Sequence, residues 1–100
     1  MNLPKYPIVE VHEKNMYEFY SEGPKGRLRK AIRFRHIPKL GANVYNLAFG
    51  DYDAVTDTID DKVVSNNGDG KIVLHTVADA IVDFLVKKPL AFVLIKGSSR

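Results

Sequence analysis

The sequence contains no cysteine. Disulfides and cysteine-ligated zinc are therefore excluded, and with them a disulfide-stapled secreted scaffold. No stretch approaches the ~20 consecutive apolar residues that a membrane span requires. The opening MNLPKYPIVEVHEKN carries Pro4 and Pro7 and lacks the apolar centre of a signal peptide. These absences predict a cytoplasmic protein with no membrane partner.

Charge of one sign is missing from two segments. Between Lys25 and Lys39 there are seven Lys or Arg and no acid; between Asp51 and Asp61 there are five Asp and no base. The net charge of +3 hides this segregation. A basic block suits nucleic acid or another polyanion. It suits equally a solvated face neutralised by the acidic block.

Catalytic signatures are missing too. There is no Ser-His-Asp elbow, no phosphate-cradling glycine loop and no dinucleotide fingerprint. His12, His36 and His75 are not at metal-ligand spacing from one another. The aspartates of DYDAVTDTIDD lack the EF-hand spacing and its terminal glutamate. The expectation is a protein that is not an enzyme and holds no cofactor or metal.

What remains is the material of one domain, residues 1–100, with 45% apolar residues and a modest stability margin. The chain is organised around GRLRKAIRFRHIP, Gly26–Pro38. Side chains of a strand alternate faces. Arg27, Arg29, Arg33 and Arg35 then share one face with Ala31. Leu28, Lys30, Ile32, Phe34 and His36 share the other. The pattern predicts a half-buried strand with a guanidinium stripe on its outer side.

Around it, Ile8, Val9 and Val11 form a short edge strand within an extended segment, 1–15, where proline is tolerated. MYEFYSE, 16–22, is a strand with Tyr17, Phe19 and Ser21 on its core face. Gly23-Pro24-Lys25-Gly26 closes a hairpin. Glu18 and Glu22 then fall across from some of the arginines, where they can pair with them. VYNLAFG, 44–50, is a strand with Tyr45, Leu47 and Phe49 on one apolar face. A weaker strand covers 59–65. The i, i+3, i+4, i+7 spacing of Leu74, Val77, Ala78, Ile81, Phe84 and Leu85 predicts a helix over 71–87, with Asp69 as N-cap. LAFVLIK, 90–96, is a last strand, buried in the sheet or in an interface.

The stretches FYSEGPKGRLRKAIRF, YNLAFGDYD, VVSNNGDG and the closing IKGSSR together resemble a family of small bacterial proteins of unknown function. That resemblance implies no activity. Members of the family run on past the closing Gly-Ser segment, which implies a truncated chain or a short member. A second resemblance is confined to the first hairpin. Tyr17-Glu18-Phe19 followed by Gly26-Arg27-Leu28-Arg29-Lys30-Ala31-Ile32 is similar to Pur-alpha repeats, which with the related Whirly proteins bind single-stranded nucleic acid on a sheet. It implies Arg27, Arg29 and Lys30 as contacts and Tyr17 and Phe19 as aromatics. One repeat is present instead of two, so a homodimer would be needed to complete that fold.

These readings give an α+β domain: an antiparallel sheet of four or five strands with one helix on one face, in the order ββββαβ, forming a homodimer. The leading functional expectation is non-catalytic binding of single-stranded DNA or RNA. Its expected contacts are Arg27, Arg29, Lys30, Arg33 and Arg35, with Tyr20, Tyr45 or Tyr52 as stacking platforms. The competing expectation is a protein-interaction module, regulatory or antitoxin-like, that touches no nucleic acid.

Overall fold

The computed structural model describes residues 4–60 and 67–95. The alternation in the organising stretch becomes strand β3, Gly26–His36, the longest in the molecule. It pairs antiparallel with β2, Met16–Gly23, through the Gly23–Gly26 turn, and with β4, Val44–Asp53, on its other side. The short β1, Val9–Val11, adds antiparallel to β2. The outer edge of β4 is shared by two short strands, β5, Thr58–Asp60, and β6, Phe92–Ile95. Helix α1, Gly70–Lys87, lies between these two in the chain.

Among the described residues the sheet has six strands instead of the expected four or five. It is mostly antiparallel, but β6 runs parallel to β4. A helical crossover between β4 and β6 returns the chain in the direction it had before, which antiparallel pairing does not allow. β4 also continues past the expected Gly50 to Asp53, and β5 begins at Thr58, one residue before the expected 59–65 strand. Residues 61–65 of that expectation lie outside the described residues. The last strand is neither buried nor central; it stands at the edge, and its side chains are mostly exposed.

One face of the sheet is covered by α1. Tyr17 and Phe19 of β2 and Ile32 and Phe34 of β3 meet Ala80 and Phe84 of the helix in a fully buried cluster. The Phe34 and Phe84 rings stack at 4.0 Å, and Tyr17 stands edge-on to Phe34 at 6.0 Å. Such pairs contribute ~0.5–1.5 kcal/mol beyond the area they bury.

Polar clamps hold α1 at both ends. Asp69 occupies the N-cap position, but its side chain makes no capping bond. It accepts hydrogen bonds from Tyr6 Oη and Ser21 Oγ, both at 2.5 Å. Beside it the buried Asn67 ties down the β2–β3 hairpin. Its amide donates to the Gly26 carbonyl at 2.8 Å and its oxygen accepts from the Lys25 N–H at 2.7 Å. Near the other end Tyr17 Oη donates to Asp83 Oδ2 at 2.6 Å, and Lys87 bridges Asp83 and Glu10.

Candidate functional site

The register places Arg27, Arg29, Arg33 and Arg35 on the sheet face turned away from α1, opposite Glu22, Tyr20, Met16 and Asn46 respectively. The stripe exists, but its members have different fates. Arg29 Nε and Nη2 both donate to Glu18 Oε1, at 2.8 and 2.6 Å. Arg33 Nη2 donates to Asp57 Oδ1 at 2.8 Å, and its side chain is only 13% exposed. Both central arginines are thus neutralised by their own subunit. Arg33 is corrected as a surface contact, because the 54–57 turn folds back over it. Arg27 approaches Glu22 only to 3.9 Å and is well exposed. Arg35 is exposed and, among the described residues, has no carboxylate partner. The two available cations stand at opposite ends of β3, about 26 Å apart at ~3.3 Å per residue.

Lys30, Tyr45, Tyr17 and Phe19 are also corrected. Lys30 lies directly opposite Phe19 on the helix side, is buried, and donates to Asp51 at 2.5 Å. Its exclusion from the stripe was legible in the alternation itself, which puts even positions of β3 inward. Tyr45 faces α1 and packs edge-on against Phe84 at 5.1 Å. Tyr17 and Phe19 are core residues. Tyr17 and Phe19 are too deeply buried to stack on a base, and Tyr45 lies on the face opposite the arginine stripe. Tyr20 and Tyr52 do face outward. The Arg27 guanidinium lies over the Tyr20 ring at 4.1 Å, and that of Arg29 over Tyr52 at 5.1 Å.

Asp57 is the hub that sequence reasoning missed. Its Oδ1 receives Tyr52 Oη at 2.7 Å, Arg33 at 2.8 Å and Lys14 Nζ at 3.1 Å. The Tyr52 hydrogen bond, then those from Arg33 and Lys14, hold its carboxyl well below the usual carboxylate range. The backbone there is left-handed, φ 54°. An aspartate tolerates that conformation better than most residues do. Only the acidic composition of the loop hinted at this role.

The histidines are occupied locally. His36 Nε2 lies 2.9 Å from the Ala42 carbonyl and His75 Nδ1 3.0 Å from that of Pro4. Among the described residues no group of three or more His, Asp or Glu is placed to hold a metal ion. A depression of about 250 Å³ near the end of α1 is lined by Asn43, Tyr45, Lys88, Pro89, Leu90 and Ala91. Lys88 is its one charged side chain, and no carboxylate or imidazole lines it.

The second candidate surface is apolar. The side of α1 facing solvent carries Leu74, Val82 and Val86, exposed by 66%, 59% and 73%. Leu90 and Ile95 are exposed beyond the end of the helix, Ile95 on its side of the sheet, while Phe92 and Leu94 are exposed on the opposite face of β6. A helix on a soluble surface normally turns a polar side outward; one that is apolar all round is normally buried. Among the described residues no helix is long and apolar enough to cross a membrane.

The fold and surfaces define a small α+β domain with one sheet face covered by a single helix and with two exposed surfaces, one basic and one apolar. The chain belongs to the family of unknown function DUF6934, whose profile matches residues 2–100. Neither a curated protein nor a solved structure matches it. The family resemblance in the sequence is thereby borne out, and nothing in the comparisons carries the likeness to Pur-alpha.

Proposed function

We propose that this protein is a non-catalytic protein-association module, and that its binding surface is the apolar band on the outer side of α1. One observation carries the reading: α1 is apolar on the side away from the sheet as well as toward it, with Leu74, Val82 and Val86 bare. Contiguous apolar surface of this kind marks interaction sites. The test is affinity capture from native lysate, with and without nuclease. Capture should survive nuclease and Arg27→Ala/Arg35→Ala, and be lost in Val82→Asp/Val86→Asp. Capture abolished by nuclease would overturn the reading.

A second reading is favoured by the Arg27–Tyr20 stack and the bare Arg35. On it, the open sheet face holds single-stranded nucleic acid through cations and an aromatic platform. Fluorescence anisotropy with labelled oligonucleotides tests it. Binding should weaken steeply with salt and again in Arg27→Ala/Arg35→Ala. No binding at low salt removes it. The neutralised centre of the stripe is what ranks this reading second.

A further inference from the structure

The cover that α1 gives its sheet face is uneven: Phe84 packs on Tyr45 of β4, but the side chains of β4 and β6 are less buried than those of β2 and β3. Five strand positions at ~4.8 Å spacing make a surface about 20 Å across. One helix with its side chains is about 10 Å wide. The hydrogen bonds of α1 show which half it occupies. Asp83 meets Tyr17 of β2, Lys87 meets Glu10 of β1, and Asp79 meets Lys5, so α1 leans toward the β1–β2 side. On the β4–β6 side, Tyr45, Leu47 and Phe49 are only partly buried, and Ile95 is 65% exposed. Among the described residues the chain thus presents an exposed helix ridge of Leu74, Ala78, Val82 and Val86, spaced four apart, and beside it a partly buried apolar half-face that ends in the exposed Ile95.

We infer that a second copy of this chain covers both, each α1 lying along the partly buried β4–β6 half of the other copy's sheet. This rests on the association reading above and names the partner. The two surfaces occur once each per chain, and a two-fold axis between adjacent helices, running along them, satisfies both reciprocally. The helices then form one layer between two sheets, and each is buried on both of its apolar sides. The ridge carries no charge, so bringing two copies together opposes no like charges at its centre. An 18-residue helix is about 27 Å long. Two strips about 27 Å long and about 10 Å wide come to roughly 540 Å² per partner, or roughly 1,100 Å² in all, just above the ~1,000 Å² that a specific interface should clear.

Light scattering coupled to size exclusion, from micromolar to millimolar chain, tests this. The protein should have a two-chain mass. Val82→Asp/Val86→Asp should have a one-chain mass with an unchanged circular dichroism spectrum, because both positions are exposed within a single chain. Leu94→Asp, on the opposite sheet face, should keep the two-chain mass. The absence of cysteine provides a check that does not depend on stability. Val82→Cys and Ile95→Cys, purified separately, should form a disulfide-linked heterodimer when mixed under mild oxidation, in excess over either variant alone. A one-chain mass throughout overturns the pairing, as does a two-chain mass that survives Val82→Asp/Val86→Asp. If the single chain nonetheless captures a different protein through Val82 and Val86, only the second-copy assignment falls; if it captures nothing, the association reading falls with it.

Discussion

At the scale of single residues, the stripe of arginines divides into structure and surface. Arg33 and Asp57 belong to structure. Asp57→Asn keeps a side chain suited to left-handed backbone while removing the charge that Arg33, Lys14 and Tyr52 share. It should lower the denaturation midpoint at pH 7. The sign with pH follows from the depressed carboxyl pKa. A depressed carboxylate stabilises the fold in full above its unfolded pKa of about 4, and that contribution is lost as pH falls toward the folded value. The gap between Asp57→Asn and the parent should therefore be widest near neutrality and shrink in acid, as urea titrations at successive pH values would show. A gap independent of pH would mean that Asp57 acts through packing and not through charge.

At the scale of elements, the strands and helix were legible because their periods are distinct. Alternation gave β3 its inward Ile32 and Phe34 and its outward arginines, and the 3.6-residue period gave α1. The arginines' partners were not legible in full. Glu18 sits across the hairpin from Arg29 at a spacing that the turn dictates, so pairing could be anticipated. Asp57 reaches Arg33 only because the 54–57 turn folds over the sheet, and no local period encodes such a reach. The parallel placement of β6 was hidden likewise, since an apolar run does not say which strand it will join.

The hairpin offers a sharp test at this scale. A Cβ added at Gly23 would fall 1.9 Å from the carbonyl oxygen of Asn67. Asn67 is buried and bonded to both sides of the turn, so it has little room to yield. Gly23→Ala should cost about 1–3 kcal/mol, the range for overpacking. Gly26 has φ +90° and open space around it. Gly26→Ala should cost about 1 kcal/mol from backbone strain alone. Chemical denaturation of the two variants checks the order; equal costs would mean that Asn67 does not hold the turn. Within α1, Phe84→Ala removes the ring stacked on Phe34 and should cost about 3–5 kcal/mol.

At the scale of the whole molecule, three of the carboxylates that fasten α1 and the N-terminal segment to the sheet, Glu10, Asp69 and Asp83, have lowered pKa values. For Glu10 the cause is the hydrogen bond from Lys87, and for Asp83 that from Tyr17 and then Lys87. At Asp69 burial pushes upward, but hydrogen bonds from Ser21 and Tyr6 outweigh it and leave the group lowered. Each contribution is present above the ordinary carboxylate range and is lost as pH falls through the folded values. Acid strong enough to protonate them protonates most of the other nine of the chain's twelve Asp and Glu as well, leaving fifteen Lys and Arg and three His with little to oppose them, and that self-repulsion disfavours a compact chain. The helix should therefore detach together with residues 4–11 in one acid transition below pH about 4. Far-ultraviolet circular dichroism and tyrosine fluorescence should report the same midpoint, because Tyr6 and Tyr17 sit at the two clamps. Separate midpoints would mean that the clamps release independently, and native signals persisting at pH 2 would mean that apolar packing alone suffices to hold α1 on the sheet.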